Sequence, residues 1–167
     1  MRALLLCGGF ATRLEPITYF IPKPLLPIGV GGKPIVEYIL DDLVKSGVND
    51  IVLSTNSKFS NAFEYWTKHQ TDGVQATINM VVEHTASNKE KFGAIKGIEY
   101  AIEQGKIDED LIIIAGDNLY DFSVREIIDY FGRNRKPTIG LYDTKDLEGA
   151  KRFGNVELSG DKVTSFV

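Results

Sequence analysis

Leu6-Cys7-Gly8-Gly9-Phe10-Ala11-Thr12-Arg13-Leu14-Glu15-Pro16-Ile17-Thr18, followed by Pro22-Lys23-Pro24-Leu25-Leu26-Pro27 and Gly32-Lys33-Pro34, decides how this chain is read. The stretch is too apolar for a solvated linker and too rich in proline and glycine for a single helix or strand. It reads as a long ordered loop, and loops of that length inside compact domains usually carry function. Gly8 and Gly9 let backbone N–H groups approach an anion, and Arg13 and Lys23 follow with cations, a combination suited to a polyphosphate. Arg13 offers a planar fork for bidentate contact and Lys23 a compact, rotatable charge. Taken alone, Gly8-Gly9 serves equally well as a tight strand-exit turn, and an isolated Arg or Lys is usually a solvated surface charge.

Outward from this stretch, strands and helices alternate. Ala3 to Leu6 is a wholly apolar run of the kind found in a parallel strand buried on both faces. Apolar residues at helical spacing from Ile35 predict a helix stopped near Gly47. Asp50 to Ser54 reads as a second strand, Ser60 to about His69 as a helix, and Thr77 to Val82 as a third strand. Gly93 to Gln104 returns to helical spacing, and Leu111 to Ala115 reads as the clearest buried strand. Ser123 and Glu126 form a capping-box pattern opening a helix to about Arg133. Thr138 to Tyr142 is expected to be another strand, and Asn155 to Leu158 with Lys162 to Val167 a hairpin about Ser159-Gly160-Asp161. Strands alternating with helices predict an α/β fold whose mainly parallel sheet is covered on both faces, with its site at the strands' C-terminal ends. Both the Gly8-Gly9 turn and Asp117 follow strand ends, which puts cationic loop and carboxylate on one edge.

Length and composition narrow the class. At 167 residues, 43% hydrophobic and 25% charged, the chain reads as one domain with a sizeable core. A net charge of -4 and a pI near 5.2 argue against a broad nucleic-acid or anionic-membrane surface. The one cysteine, Cys7, forms no intrachain disulfide, and no run approaches the roughly 20 apolar residues of a membrane span. The expectation is a cytoplasmic protein without a membrane or nucleic-acid partner, with a homo-oligomer open. The first strand is not followed by Gly-x-Gly-x-x-Gly and the second ends in Ser54-Thr55-Asn56 without an acid, which disfavours a dehydrogenase. Gly31-Gly32-Lys33-Pro34 has proline where a P-loop needs Ser or Thr. Asp117 lies just past a buried strand, where a carboxylate needs a cation or solvent, although Gly-Asp-Asn is also a common turn.

Gly8-Gly9-x-x-Thr12-Arg13-Leu14-x-Pro16-x-Thr18, Lys23-Pro24-Leu25-Leu26-Pro27 and Lys33-Pro34 together closely resemble the opening of the sugar-phosphate nucleotidyltransferases, the nucleotide-sugar pyrophosphorylases. The likeness continues through Gly116-Asp117-Asn118 to Phe153-Gly154, so residues 1–167 resemble a single nucleotidyltransferase-like domain corresponding to the family's N-terminal part. It implies a Rossmann-like three-layer α/β/α fold of the nucleotide-diphospho-sugar transferase type. It implies a Mg²⁺-dependent enzyme joining a nucleoside triphosphate to a sugar 1-phosphate and releasing pyrophosphate. By this resemblance Leu6, Gly8, Gly9, Thr12, Arg13, Lys23, Glu83 and Gly93 bind the nucleotide, and Arg13, Lys23 and Asp117 are catalytic. Asp117 is then the metal ligand and Gly154 approaches the sugar. Glu83 stands where thymidylyl- and uridylyltransferases commonly have Gln, and Glu90-Lys91-Phe92-Gly93-Ala94 departs from the family's Gly-x-x-Gly-Ala. Members continue past Ser165-Phe166-Val167 with Glu-Lys-Pro and a second metal-binding Asp. The competing reading is a nucleotide- or sugar-nucleotide-binding module without turnover. A metal-dependent glycosyltransferase is disfavoured because Gly116-Asp117-Asn118-Leu119 lacks Asp-x-Asp.

Overall fold

A computed structural model describes residues 1–69 and 75–167. They fall into two compact units, Met1–Asp129 and Tyr130–Val167. In chain order the elements are β1 (Arg2–Leu6), the 3-10 turns Thr12–Leu14, Ile17–Tyr19 and Lys23–Leu25, β2 (Pro27–Ile28), β3 (Lys33–Pro34), α1 (Ile35–Lys45) and β4 (Asp50–Asn56). They continue with α2 (Ser60–His69), β5 (Thr77–Glu83), α3 (Ala94–Gln104), β6 (Leu111–Ala115), α4 (Val124–Asn134), α5 (Leu147–Ala150), β7 (Val156–Ser159) and β8 (Lys162–Phe166).

Four of the strands form a parallel sheet in the order β5-β4-β1-β6. Because successive side chains alternate across a strand, the wholly apolar β1 feeds two cores. Ala3 and Leu5 join Ile51 and Leu53 of β4 against Val36, Ile39, Leu40 and Leu43 of α1 and Phe63 and Trp66 of α2. Leu4 joins Val52 and Val81 on the other face, where Ala101 and Ile98 of α3 cover them. The sheet is thus flanked by helices on both faces, as the α/β reading requires. The apolar stripe of α1 ends as expected, with Ser46 as its C-cap and Gly47 at φ 83°.

Three expectations change. Leu111 to Ala115 is a strand, but among the described residues it pairs only with β1, so it is the edge of their sheet, and Ile113 is 41% exposed. β4, whose Ile51 to Asn56 are all buried between two neighbours, is the most enclosed strand. Thr138 to Tyr142 forms no strand, and Ile139, Leu141 and Tyr142 are exposed. Its β-favouring residues meet no partner strand among the described residues, and such propensity without a ladder does not make a strand. At α4, Ser123 caps as expected through Oγ, which accepts from the N–H of Arg125 at 3.2 Å. The carboxylate of the cap comes from Asp42 of α1, which accepts from Val124 N–H at 2.8 Å and from Ser123 Oγ at 3.2 Å. A tertiary contact has taken over a role the sequence pattern gave to Glu126.

The second unit contains α5 and the β7–β8 hairpin. Gly160, at φ 59°, supplies the tight turn between Ser159 and Lys162 that the sequence predicts. Asn155 fixes the segment before β7 by donating from Nδ2 to the carbonyls of Ala150 (2.9 Å) and Phe153 (3.1 Å).

Candidate active site

All four parallel strands end on one edge, and each end delivers a residue to it: Gly8 after β1, Asn56 at the end of β4, Glu83 at the end of β5, and Gly116-Asp117 after β6. Parallel strands present their C-terminal ends together, which is why residues more than a hundred positions apart become neighbours.

The long loop is ordered by burial at a few points. Phe10 is buried in the main core and lies 6.1 Å from the ring of Phe59, and Leu25 packs against the same cluster. Pro22 and Pro24 are buried. Thr18, fully buried, donates through Oγ1 to the carbonyl of Ala11 at 3.0 Å. That bond holds Ala11 at φ 47°, a left-handed conformation that an alanine adopts at a cost of roughly 1–2 kcal/mol. Strain of this kind gathers at functional loops. Next to it, Thr12 and Arg13 are exposed, and Arg13 has no hydrogen bond or ion pair among the described residues.

Lys23 and Asp117 meet. Lys23 Nζ donates to Asp117 Oδ2 at 2.9 Å, with the two side chains 35% and 38% exposed. This pair joins the loop after β1 to the turn after β6, and it remains open to solvent and to a ligand. Gly116 is held tightly from below. Its N–H donates to the carbonyl of Leu6 at 2.9 Å, and a Cβ there would stand 2.3 Å from Cys7 Sγ, a distance no side chain tolerates. Only glycine lets Asp117 follow β6 so closely over the Cys7 thiol. Burial, with Asp117 adding to it, pushes that thiol far above its ordinary range, so Cys7 is an inert packing group.

On the other side of β1, Glu83 is 7% exposed and approaches the Gly8 backbone. Ser54 Oγ donates to Glu83 Oε1 at 3.3 Å. Burial raises the carboxyl above its ordinary value, and the Ser54 hydrogen bond opposes that rise. Asn56 is a residue that sequence reasoning missed. Fully buried, it donates from Nδ2 to the carbonyl of Gly8 at 2.9 Å while Oδ1 accepts from Phe59 N–H at 3.1 Å. It therefore sets the Gly8-Gly9 turn. The signal was present in Ser54-Thr55-Asn56, three polar residues closing a buried strand at the functional edge.

Among the sequence-predicted residues, Leu6, Gly8 and Glu83 cluster at the β1 and β5 ends, and Lys23 and Asp117 pair. Gly9, Thr12 and Arg13 lie exposed on the loop. Gly93 is the exposed N-cap of α3 at φ 79°, a conformation that favours glycine. Gly154 is exposed in the second unit, between α5 and β7, with nothing near the place a Cβ would take. Among the described residues no group of three or more His, Cys, Asp or Glu side chains is arranged to hold a metal. No helix among them is long and apolar enough to cross a membrane.

A glycine turn, a cation–carboxylate pair and a buried acid thus share the C-terminal edge of the parallel sheet of an α/β protein. The family model for nucleotidyl transferases matches residues 2–167, and the chain belongs to that family. It is 29% identical over 163 residues to the bifunctional protein GlmU of Methanococcus maripaludis, covering 96% of this chain and 33% of that protein. It is 30% identical over 170 residues to the mannose-1-phosphate guanylyltransferase catalytic subunit beta of Xenopus tropicalis, covering 100% of this chain and 44% of that one. The chain therefore spans less than half the length of these relatives. Its fold matches that of a putative glucose-1-phosphate thymidylyltransferase from Bacillus anthracis with a TM-score of 0.80 at 19% identity, over 99% of this chain and 63% of that one.

Proposed function

We propose that this chain carries the nucleotide half of a Mg²⁺-dependent sugar-1-phosphate nucleotidyltransferase acting in the cytoplasm. The observation that carries the reading is the Lys23–Asp117 pair, which joins the loop after β1 to the turn after β6 on the edge where the Gly8-Gly9 turn lies, together with membership of the nucleotidyl transferase family. In the reaction a phosphate oxygen of the sugar 1-phosphate attacks the α-phosphorus of the nucleoside triphosphate. The bond from that phosphorus to the bridging oxygen breaks, and pyrophosphate leaves. The attacking oxygen is already anionic, so no side chain need take a proton.

The residues have separate tasks. The Gly8-Gly9 backbone, fixed by Asn56, approaches the nucleotide; Arg13, without a partner among the described residues, is available to the phosphates. Lys23 places a positive charge where the transferring and leaving phosphates gain negative charge. Asp117 fits a magnesium site because Oδ1 makes no internal hydrogen bond among the described residues. Mg²⁺ also commonly takes only one or two protein carboxylates and completes its octahedron with phosphate and water. Bound there, the ion would supply charge neutralisation and alignment of the phosphates. Gly154, in the second unit, is assigned to the sugar on the family resemblance.

The relatives' names differ in nucleotide, with a guanylyltransferase and a thymidylyltransferase among them, so the base must be read from this site. The test is pyrophosphate release across a panel of nucleoside triphosphates and sugar 1-phosphates, with and without Mg²⁺. Release that requires both substrates and the metal supports the proposal. Nucleotide binding without release under any pairing would favour the binding-module reading instead.

A further inference from the structure

Both oxygens of the Asp42 carboxylate, on α1, are engaged by one distant stretch of chain. Oδ1 accepts from Ser123 Oγ at 3.2 Å and Oδ2 from Val124 N–H at 2.8 Å. The start of α4 already has a local cap, because Ser123 Oγ accepts from Arg125 N–H at 3.2 Å and the Ser123 carbonyl from Glu126 N–H at 3.0 Å. What the distant carboxylate adds is a fixed place for that helix end against α1. Tyr120, three residues earlier, is drawn inward beside it. Its ring packs against the main core and lies 4.7 Å from that of Phe122. Its hydroxyl is buried without a hydrogen-bond partner among the described residues. Burial, with the charge of Asp42 adding to it, raises that hydroxyl above its ordinary range.

The stretch held in this way is the one that bears Asp117. Its other end is fixed as well, since Gly116 N–H donates to the Leu6 carbonyl at 2.9 Å and Asn118 N–H to that of Ala115 at 3.2 Å. Asp117 to Phe122 therefore runs between an anchor on β1 and an anchor on α1. The same helix holds the segment of the opposite partner. It packs against the Lys23–Leu25 turn, Ile35 N–H donates to the Leu26 carbonyl at 3.2 Å, and Leu25 packs against the core that contains Ile39, Leu40 and Leu43. One helix thus sets both the lysine's loop and the acid's turn.

Resting on the nucleotide and metal site proposed above, we propose that Asp42 is a positioning residue, which ties the end of the Asp117 turn to α1 and so sets where the Asp117 carboxylate stands relative to Lys23. Its own carboxylate contacts neither of them; it acts through Ser123, Val124 and the backbone that leads to them. Placement of the acid matters because Mg²⁺ demands a near-ideal octahedron with ligands at about 2.0–2.1 Å. Groups that only orient a ligand are known to change metal affinity by about 10–100-fold when they are removed. The two roles open to Asp42 differ in what they predict. A helix cap lowers stability and leaves the response to the metal alone. A positioning residue lowers the response to Mg²⁺ in a protein that is still folded.

The experiment is calorimetric binding of ATP, CTP, GTP, UTP and dTTP, each with and without Mg²⁺, to the parent and to Asp42→Ala, Asp42→Asn, Ser123→Ala and Trp66→Phe. Trp66→Phe is the control for lost stability, because it removes the bond from Trp66 Nε1 to Glu37 Oε1 (2.9 Å) elsewhere on α1. Asp42→Ala, folded by circular dichroism, is expected to cut the enhancement of triphosphate binding by Mg²⁺ by about tenfold or more, with a smaller change in binding without the metal. Asp42→Asn, which keeps one acceptor, and Ser123→Ala, which keeps the Val124 bond, should fall between that variant and the parent. Trp66→Phe should keep the parent's enhancement. If Asp42→Ala does not fold, the two milder variants decide. Undiminished enhancement in the folded Asp42 and Ser123 variants, or an equal loss in Trp66→Phe, makes Asp42 a cap alone, and the proposal falls while the nucleotide site stands. If the parent binds no triphosphate or does not respond to Mg²⁺, both readings fall.

Discussion

Lys23 Nζ and Asp117 Oδ2 lie 2.9 Å apart although 94 residues separate them in the chain. Both side chains are more than a third exposed, so as an ion pair they contribute only about 0–1 kcal/mol to stability. The pair is better placed to meet a charged ligand than to hold the fold. Lys23→Ala is accordingly expected to leave the thermal midpoint nearly unchanged, as measured by differential scanning calorimetry. A loss of more than a few degrees would mean that the lysine is structural.

Arg13 and Lys23 are both expected to discriminate by phosphate number. Replacing either with Ala removes one charged contact, worth about 1.5–3 kcal/mol, and should weaken a nucleoside triphosphate more than the corresponding monophosphate. Titration calorimetry with the two ligands reads this difference. Equal losses for both would detach these side chains from the distal phosphates.

Asp117→Asn keeps shape and removes charge. It is expected to abolish the enhancement of nucleotide binding or turnover by Mg²⁺ while leaving the circular dichroism spectrum intact. A variant that responds to Mg²⁺ as its parent does would sink Asp117 as the ligand.

Gly116→Ala is expected to destabilise the protein by about 1–3 kcal/mol or more, because its Cβ would collide with Cys7 Sγ. Cys7→Ala removes the obstructing sulfur, so the double variant should recover part of the loss. Chemical denaturation of the four proteins in this cycle gives the coupling; strict additivity would show that the glycine is needed for another reason.

Glu83 should leave a signature in the pH dependence of stability. Burial raises its carboxyl in the folded protein, so between the unfolded and folded values the native state holds the extra proton. Stability from this group is complete below the unfolded value, about 4.3, and is lost as pH rises through the folded one. Without ligand, Glu83→Gln should therefore be more stable than the parent at neutral pH, and the gap should close in acid. Thermal unfolding from pH 4 to 8 measures it, and a gap that widens in acid would reverse the assignment.

The sequence by itself determined the alternation of strands and helices, because side-chain periodicity is local and α1, α2 and α3 each follow it. It also determined the loop, since the glycines and prolines between Leu6 and Pro34 leave room only for 3-10 turns and two two-residue strands. What it could not contain was which strands become neighbours. The order β5-β4-β1-β6 makes β6 an edge and exposes Ile113, although its apolar composition reads as central. Thr138 to Tyr142 likewise pairs with no strand among the described residues, despite residues that favour one. Asp42 capping α4, Asn56 setting the Gly8 turn and Cys7 forbidding a side chain at Gly116 are contacts between distant segments. No periodicity encodes them. Lys23, Glu83 and Asp117 could each be named from the chain, but only packing made one a partner of another and buried the third beside a glycine backbone. Charge and burial act through space, and the tertiary structure alone set those distances.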